Sequence, residues 1–308
     1  MLKKGNNGRM RCGSRRKAHG PRFFFFYVCR APCTLYRFQF ALIFQYSNTP
    51  VLQYSMGLFM RRFFIDEIRS AHGSFPITGA EAKHMTRVLR MGPGERVVLL
   101  DRKGARFQAV IKEVSRHHVL VNLEKPLPGP APSPVHITLC QALLKSQHMD
   151  LLVEKTSELG VDRVLPYISE RTVVKVDGNK AHTKLRHWQE IAQSAAKQSD
   201  RAMPAGIGPL YPYDELLVVL GKESALKIIL WEQEGVRSLK DHLRSNSPEP
   251  RVLAMVGPEG GFTELEVMKA LEAGFVSVSL GSRILRAETA AISLVTIIQY
   301  EWGDLSVK

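Results

Sequence analysis

The chain has 308 residues, 44% of them hydrophobic and 23% charged, which suits a folded globular protein long enough for two domains and excludes a disordered or fibrous chain. Its net charge of +14 is unevenly spread: residues 1 to 59 carry ten Lys/Arg and no Asp or Glu, residues 60 to 131 thirteen against seven, and residues 132 to 308 twenty against twenty-two. The total overstates the basicity of the foldable part, where the one clear cationic excess lies between 60 and 131.

In chain order, residues 1–59 stand apart. They hold twelve of the 25 aromatics, three of the four cysteines (Cys12, Cys29, Cys33) and the run Phe23-Phe24-Phe25-Phe26-Tyr27. A basic, acid-free stretch suggests a targeting segment, but Arg30 and Arg37 interrupt the apolar core that a signal peptide needs. A membrane helix would need about 20 apolar residues in succession. The reading adopted is an unstructured or spurious extension, with the working protein beginning near Met56 or Met60. Past that point Cys140 is the sole cysteine, so no disulfide can form within the remainder, and a reducing compartment, the cytoplasm, fits. No metal is expected, because no Cys or His pair has convincing ligand spacing and His117-His118 falls in an alternating strand pattern.

Residues 97–100, 106–111 and 118–123 alternate with period two between tight turns, which predicts a small β-barrel. Residues 127–134, with four prolines and a glycine, read as a linker and close a first domain at 60–131. In 132–308, apolar strands alternate with helical patterns. Strands are predicted at 135–140, 161–168, 226–231, 252–256 and 276–280. Helices are predicted at 146–159 (with Met149, Leu152, Thr156 and Leu159 on one face and Gly160 as the stop), at 184–199, after Phe262, and at 287–301 with an apolar stripe of Ala290, Leu294, Ile297 and Ile298. Thr263 and Glu266 have capping-box spacing. The fold class is therefore α/β, a mostly parallel sheet covered on both faces, with ligands expected at the carboxyl ends of its strands.

Two glycine-bearing segments sit at such ends: Gly257-Pro258-Glu259-Gly260-Gly261-Phe262, and Leu280-Gly281-Ser282-Arg283-Ile284-Leu285-Arg286-Ala287-Glu288-Thr289-Ala290. Glycine permits positive φ and close approach of backbone to a ligand. The first segment lacks the dinucleotide fingerprint, and no phosphate-loop motif occurs anywhere, so nicotinamide chemistry and ATP hydrolysis fall in rank. Alone, the first turn is as readily structural as functional; the pair points to one small-molecule site. Arg286 and Glu288 bring a cation and a carboxylate to it, unless they are an ion pair that merely staples the last helix.

This pairing resembles the RsmE family of ribosomal RNA uracil-N3 methyltransferases, of the SPOUT class. The likeness runs from residue 60 to 302 and includes Met60-Arg61-Arg62-Phe63-Phe64, His84, Arg87-Val88-Leu89-Arg90, Gly92, the stretch 145–155, Glu158-Leu159-Gly160-Val161, Glu170-Arg171, Trp188, Gln198, Ser199 and Arg201. The resemblance implies a PUA-like RNA-binding β-barrel over 60–131 and a SPOUT domain with a deep trefoil knot over 132–308. It implies S-adenosylmethionine as cofactor, 16S rRNA as substrate, methylated at N3 of one specific uridine in the small ribosomal subunit, and a homodimer with no membrane partner. The cofactor-holding residues would be Leu230, Trp231, Glu232, Val256, Gly257, Pro258, Glu259, Gly260, Gly261, Leu280, Gly281, Ile284, Leu285, Arg286, Thr289 and Ala290. Arg286 would stabilise charge developing on the uracil carbonyls, with Glu288 orienting it or relaying the proton. RNA would be held by Arg61, Arg62, His84, Arg87 and Arg90, with Arg87 and Arg90 sharing a helix face, and by Lys145, Arg171 and Arg201 in a cleft that also holds Glu170. A solvated charged face, or buried ion pairs supporting the sheet, would look the same in sequence, and Arg283 fits a phosphate contact or simple exposure. Two other functions stay open: an RNA-binding or ribosome-assembly protein without catalysis, and a ribose 2′-O methyltransferase.

Overall fold

The computed structural model describes residues 60–305 apart from 66, 67, 69–72, 102, 103, 176 and 177, so the expectation for residues 1–59 lies outside the described residues. Strands β1 (Arg61–Ile65), β2 (Gly73–Thr78), β3 (Arg96–Asp101), β4 (Arg106–Val114) and β5 (His118–Pro126) form a five-stranded sheet in the order β1-β3-β4-β5-β2. The β1–β3 pair is parallel and the others are antiparallel. Among the described residues the outer strands do not pair, so the predicted barrel is instead a curled, PUA-like sheet. Register shifts in β4 at Gln108/Ala109 and Ile111/Glu113 bend it. Helix α1 (Gly79–Lys83), prolonged by a π-helical turn at His84–Val88, packs against β1, β2 and β5. Pro76 lacks an N–H and occupies the edge strand β2, where the loss matters least. Phe63, Ile77, Met85, Leu99, Ile111, Val119 and Val121 fill the concave side.

The remaining chain runs β6 (His136–Ala142), α2 (Ser146–Glu158), β7 (Arg163–Ile168), α3 (Gly178–Gln198), β8 (Gly206–Ile207), β9 (Tyr211–Pro212), α4 (Tyr213–Gly221), β10 (Leu226–Leu230), α5 (Leu239–Ser245), β11 (Arg251–Val256), α6 (Glu264–Glu272), β12 (Val276–Val278) and α7 (Ala287–Glu301). Its seven-stranded sheet has the order β12-β10-β11-β6-β7-β8, with β9 also on β7, and every pairing is parallel. One face buries Met149, Leu152, Leu294 and Ile298 under α2 and α7. The other buries Tyr167, Leu216, Phe262 and Val267 under α4 and α6. Burial pushes the Cys140 thiol up, so it stays protonated and inert.

Several element ends depart from expectation. Helix α3 starts at Gly178 rather than near 184, and the structure adds α4, α5, β8 and β9, which were not expected; α5, β8 and β9 carry too short a pattern to stand out in the sequence. Strand β12 stops at Val278 because Ser279 turns to the chain after β10, accepting from the Leu239 N–H at 2.9 Å and donating its own N–H to Arg237 at 2.9 Å. Gly160 does end α2: its φ is +96°, and an added Cβ would stand 2.5 Å from Gln299 Nε2. The small sheet is joined to the end of α3 by Asp200, which lies 2.7 Å from Arg62 Nε and pairs with Arg106 as well. Lys197 pairs with Glu81 beside them. Among the described residues no helix is long and apolar enough to cross a membrane, and no group of three or more His, Cys, Asp or Glu side chains is placed to hold a metal ion.

Candidate active site

The carboxyl ends of β10, β11 and β12 open onto one cavity of about 920 Å³, and both glycine segments line it. The approach of β11 is fixed from two sides. Gln141, fully buried, donates Nε2 to the carbonyls of Ala142 at 3.0 Å and Gly257 at 3.1 Å, and the Tyr167 hydroxyl donates to the Val256 carbonyl at 2.9 Å. Gly257 lies against the Phe262 ring, which an added Cβ would meet at 3.1 Å. Gly261 has φ +68°, and a Cβ there would stand 2.9 Å from Glu232 Oε1. The loop is closed by a complete capping box: Thr263 accepts from the Glu266 N–H, and Glu266 accepts from the Thr263 N–H.

The amino-terminal turns of α2 and α7 meet at the same cavity. Glu288, in the first turn of α7, is only 6% exposed, and its Oε1 lies 3.0 Å from His148 Nδ1 in the first turn of α2. Glu259 Oε1 accepts from the Lys145 N–H at 3.2 Å, placing a carboxylate at the start of α2 where the helix dipole favours it. Arg286, the N-cap residue of α7, is exposed, lines the cavity and has no ion-pair partner among the described residues. The chain between β10 and α5 forms the rim. Its Glu234 is held below the usual carboxylate range, chiefly by the Ser277 hydroxyl and then by the Val236 N–H.

Of the residues expected at a cofactor, Leu230, Trp231, Glu232, Val256, Gly257, Pro258, Glu259, Gly261, Leu280, Gly281, Ile284, Leu285, Arg286 and Ala290 line the cavity. Gly260 and Thr289 do not: Gly260 backs onto Arg171, and Thr289 is exposed on α7. Glu288 lines it too, but is partnered by His148 and not by Arg286. Phe262, the last residue of the first glycine segment, lines the cavity as well, whereas sequence reading gave no site role to His148, Glu234 and Ser279 on the wall. The signals for His148 were its place in the stretch 145–155 that carries the resemblance and its position six residues past the end of β6, near where sheets of this kind put their ligands.

The cationic residues divide into two groups. Arg61, His84, Arg87 and Arg90 are exposed on the small sheet and its helix, and Lys145 and Arg283 are exposed on the cavity wall. Arg87 and Arg90 do not share a helix face, because Arg90 has left the helix with φ +51°. Arg62 and Arg201 are spent internally. Arg62 pairs with Asp200, and Arg201 donates to the carbonyls of Ser157 at 3.0 Å and Val161 at 2.5 Å, its pKa lowered by burial. Arg171 donates to the carbonyls of Gly260 at 3.0 Å and Phe262 at 3.3 Å and so holds the first glycine loop. Glu170 does the same through its N–H to Glu266 Oε1 at 2.9 Å.

A curled sheet with exposed cations, followed by a parallel α/β unit with a looped cavity at its strand ends, defines a class. Residues 77–124 match the RNA methyltransferase PUA domain model and residues 131–299 the RNA methyltransferase domain model, so the chain is an RNA methyltransferase. The ribosomal RNA small subunit methyltransferase E of Bacillus subtilis is 30% identical over 250 residues, covering 79% of this chain and 97% of that protein. The crystal structure of the same-named enzyme from Neisseria gonorrhoeae, bound to S-adenosylmethionine, is 35% identical with a TM-score of 0.74 over 80% of this chain and 100% of that one. A Legionella pneumophila structure in complex with the same cofactor is 30% identical with a TM-score of 0.74, over 80% of this chain and 99% of that one. The chain belongs to the RsmE family.

The cavity suits that cofactor. Glu232, Glu234 and Glu259 set carboxylates on the wall for a ligand that carries a sulfonium and an ammonium. Leu230, Val256, Leu280 and Ile284 offer apolar surface, and the glycine loops leave main-chain groups open to an adenine edge.

Proposed function

We propose that this protein methylates N3 of one specific uridine of 16S rRNA in the small ribosomal subunit, with S-adenosylmethionine as donor. The observation that carries this reading is the convergence of both glycine loops, Arg286 and the His148–Glu288 pair on one cavity. When bound there, the cofactor supplies an electrophilic methyl group. The chain's own residues hold the donor and receive the nucleotide. Main-chain groups from Val256 to Glu259, at Gly261 and from Leu280 to Leu285 grip the donor, and Phe262 backs the loop under Gly257. Loss of the N3 proton spreads negative charge over the two neighbouring carbonyl oxygens. The guanidinium of Arg286, without an ion-pair partner among the described residues, is the group able to stabilise it there.

Residues 60–131 serve as the RNA-binding unit, through Arg61, His84, Arg87 and Arg90, and residues 132–308 as the catalytic unit, with Lys145 and Arg283 meeting the nucleotide backbone at the cavity. Arg62, Arg171 and Arg201 act by fixing structure instead. A trefoil knot in the catalytic unit is supported by the way the chain at Val278 and Ser279 bonds to Trp231 on one side and to Arg237 and Leu239 on the other, inside the loop that follows β10. The protein works as a homodimer in the cytoplasm.

The test is transfer of labelled methyl from S-adenosylmethionine to unmodified 30S particles and to naked 16S rRNA, followed by nuclease digestion and mass spectrometry. The expected product is 3-methyluridine. A ribose methyl, or tight RNA binding with no transfer, would overturn the assignment.

A further inference from the structure

We propose that His148 is the base that removes the N3 proton and that Glu288 is the positioning residue that holds it in the required form; the inference rests on the methyl-transfer reading above. Uracil N3 carries its hydrogen at neutral pH, so methylation requires a proton acceptor on the cavity wall. A carboxylate can only accept, so the 3.0 Å contact between Glu288 Oε1 and His148 Nδ1 places a hydrogen on Nδ1. In the neutral ring that leaves the Nε2 lone pair bare, and among the described residues nothing bonds to it. The ring is 38% exposed and lines the cavity, whereas the Glu288 side chain is 8% exposed. This is the division of labour of a carboxylate–histidine pair, in which a buried acid fixes the tautomer and steadies the imidazolium that forms.

The other charged groups on that wall are less suited. Lys145 and the guanidinium groups of Arg283 and Arg286 carry no lone pair for a proton. Glu259 accepts from the Lys145 N–H, Glu234 from Ser277 and the Val236 and Arg237 N–H groups, and Glu232 packs on Gly261 in the first glycine loop. In the step itself the N3–methyl bond forms as the sulfur–methyl bond breaks and returns its electron pair to sulfur. The N3 proton passes to His148 Nε2, and the imidazolium, paired with Glu288, releases it to solvent.

Two measurements on the full chain test this. Single-turnover transfer to 30S particles is followed against pH, and the imidazole nitrogens of His148 are observed by ¹⁵N NMR in the protein without donor. The wild-type rate should rise with pH along one limb. His148→Gln should lose that limb and run roughly 10²- to 10⁴-fold slower at neutral pH, while calorimetry gives it a wild-type affinity for the donor. Glu288→Gln should slow transfer as well and let the ring hydrogen move partly to Nε2 in the NMR spectrum, since a carboxamide can turn its own N–H toward Nδ1 and no longer fixes the tautomer. Added imidazole should restore the rate of His148→Ala in proportion to its concentration. The NMR spectrum should show the hydrogen on Nδ1. A His148→Gln enzyme with wild-type rate and profile, or a ring protonated at Nε2 alone, would overturn the inference while leaving the methyltransferase reading intact. A wild-type protein that moves no methyl group would remove both.

Discussion

Arg286 and Glu288 are two positions apart, yet they do different things because one precedes the helix and the other is inside it. Arg286 has the extended backbone of an N-cap, φ −64° and ψ 151°, so its side chain stays with the loop and the cavity. Glu288 is turned inward with the first helical residues and finds His148. Arg286→Ala is therefore expected to slow methyl transfer roughly 10²- to 10³-fold, the cost of removing one donor to a developing oxyanion, while filter binding gives unchanged RNA affinity. The glycines of the first loop also differ. Gly261→Ala forces a side chain into φ +68° and against Glu232 at 2.9 Å. A strained residue of this kind costs about 1–3 kcal/mol, so calorimetry should give a donor affinity roughly 5- to 150-fold weaker if that cost falls on the bound loop. Gly257→Ala should be milder, because its backbone is not left-handed and the Phe262 ring at 3.1 Å has only to shift by a few tenths of an ångström. Glu234 adds a pH dependence. Its carboxyl is held below the usual range, so its contribution to the loop is full above that range and fades as pH falls through the lowered value. Ser277→Ala should move the Glu234 titration, read by carboxyl ¹³C NMR, back up.

At the level of elements, the helix after the first loop is the clearest case of local chemistry serving the site. Thr263→Ala deletes one cap and should cost about 1 kcal/mol in urea unfolding. Glu266 has more attachments. It accepts from the N–H groups of Thr263 and Glu170, both at 2.9 Å, its carbonyl accepts from the Tyr213 hydroxyl, and it is 5% exposed. Hydrogen bonds to a charged group are worth about 1.5–3 kcal/mol each, so Glu266→Ala should destabilise more than Thr263→Ala and weaken donor binding too. The reverse ranking would show that the loop is held from elsewhere. The end of α2 follows the same logic, since Gly160 satisfies a φ of +96° and leaves room for the Gln299 amide that bonds its carbonyl at 3.1 Å.

For the molecule as a whole, the junction at Asp200 matters most. Asp200 has φ +62°, a conformation that Asp and Asn tolerate better than most residues. It faces two guanidinium side chains that are 12% and 7% exposed, those of Arg62 and Arg106. Asp200→Asn keeps the backbone and removes the charge, leaving two nearly buried cations uncompensated. Such a loss costs about 3–5 kcal/mol when complete; with Asp200 itself 41% exposed, about half of that is expected. If the junction sets how the small sheet presents its arginines, RNA affinity should fall while donor affinity holds. An unchanged RNA affinity would mean that the two parts bind RNA independently of this contact.

The five longer strands and the four helices predicted from residue 135 onward, the capping box, the stop at Gly160 and the two glycine loops were legible along the chain, because each depends on neighbours a few residues away, whereas the short elements at 206–221 and 239–245 were not. The open curl of the first sheet was not, since β1 and β2 find their partners through Val97 and Leu123, far along the sequence. Nor was the fate of the cations. Arg62 and Arg201 match the exposed arginines as letters, and only packing against Asp200 and against the carbonyls at the end of α2 took them out of reach of a ligand. The partner of Glu288 belongs to the same kind. It stands two positions from Arg286 in the chain and 140 from His148, but a helix start turns neighbours apart while two packed helix ends bring distant residues to 3.0 Å.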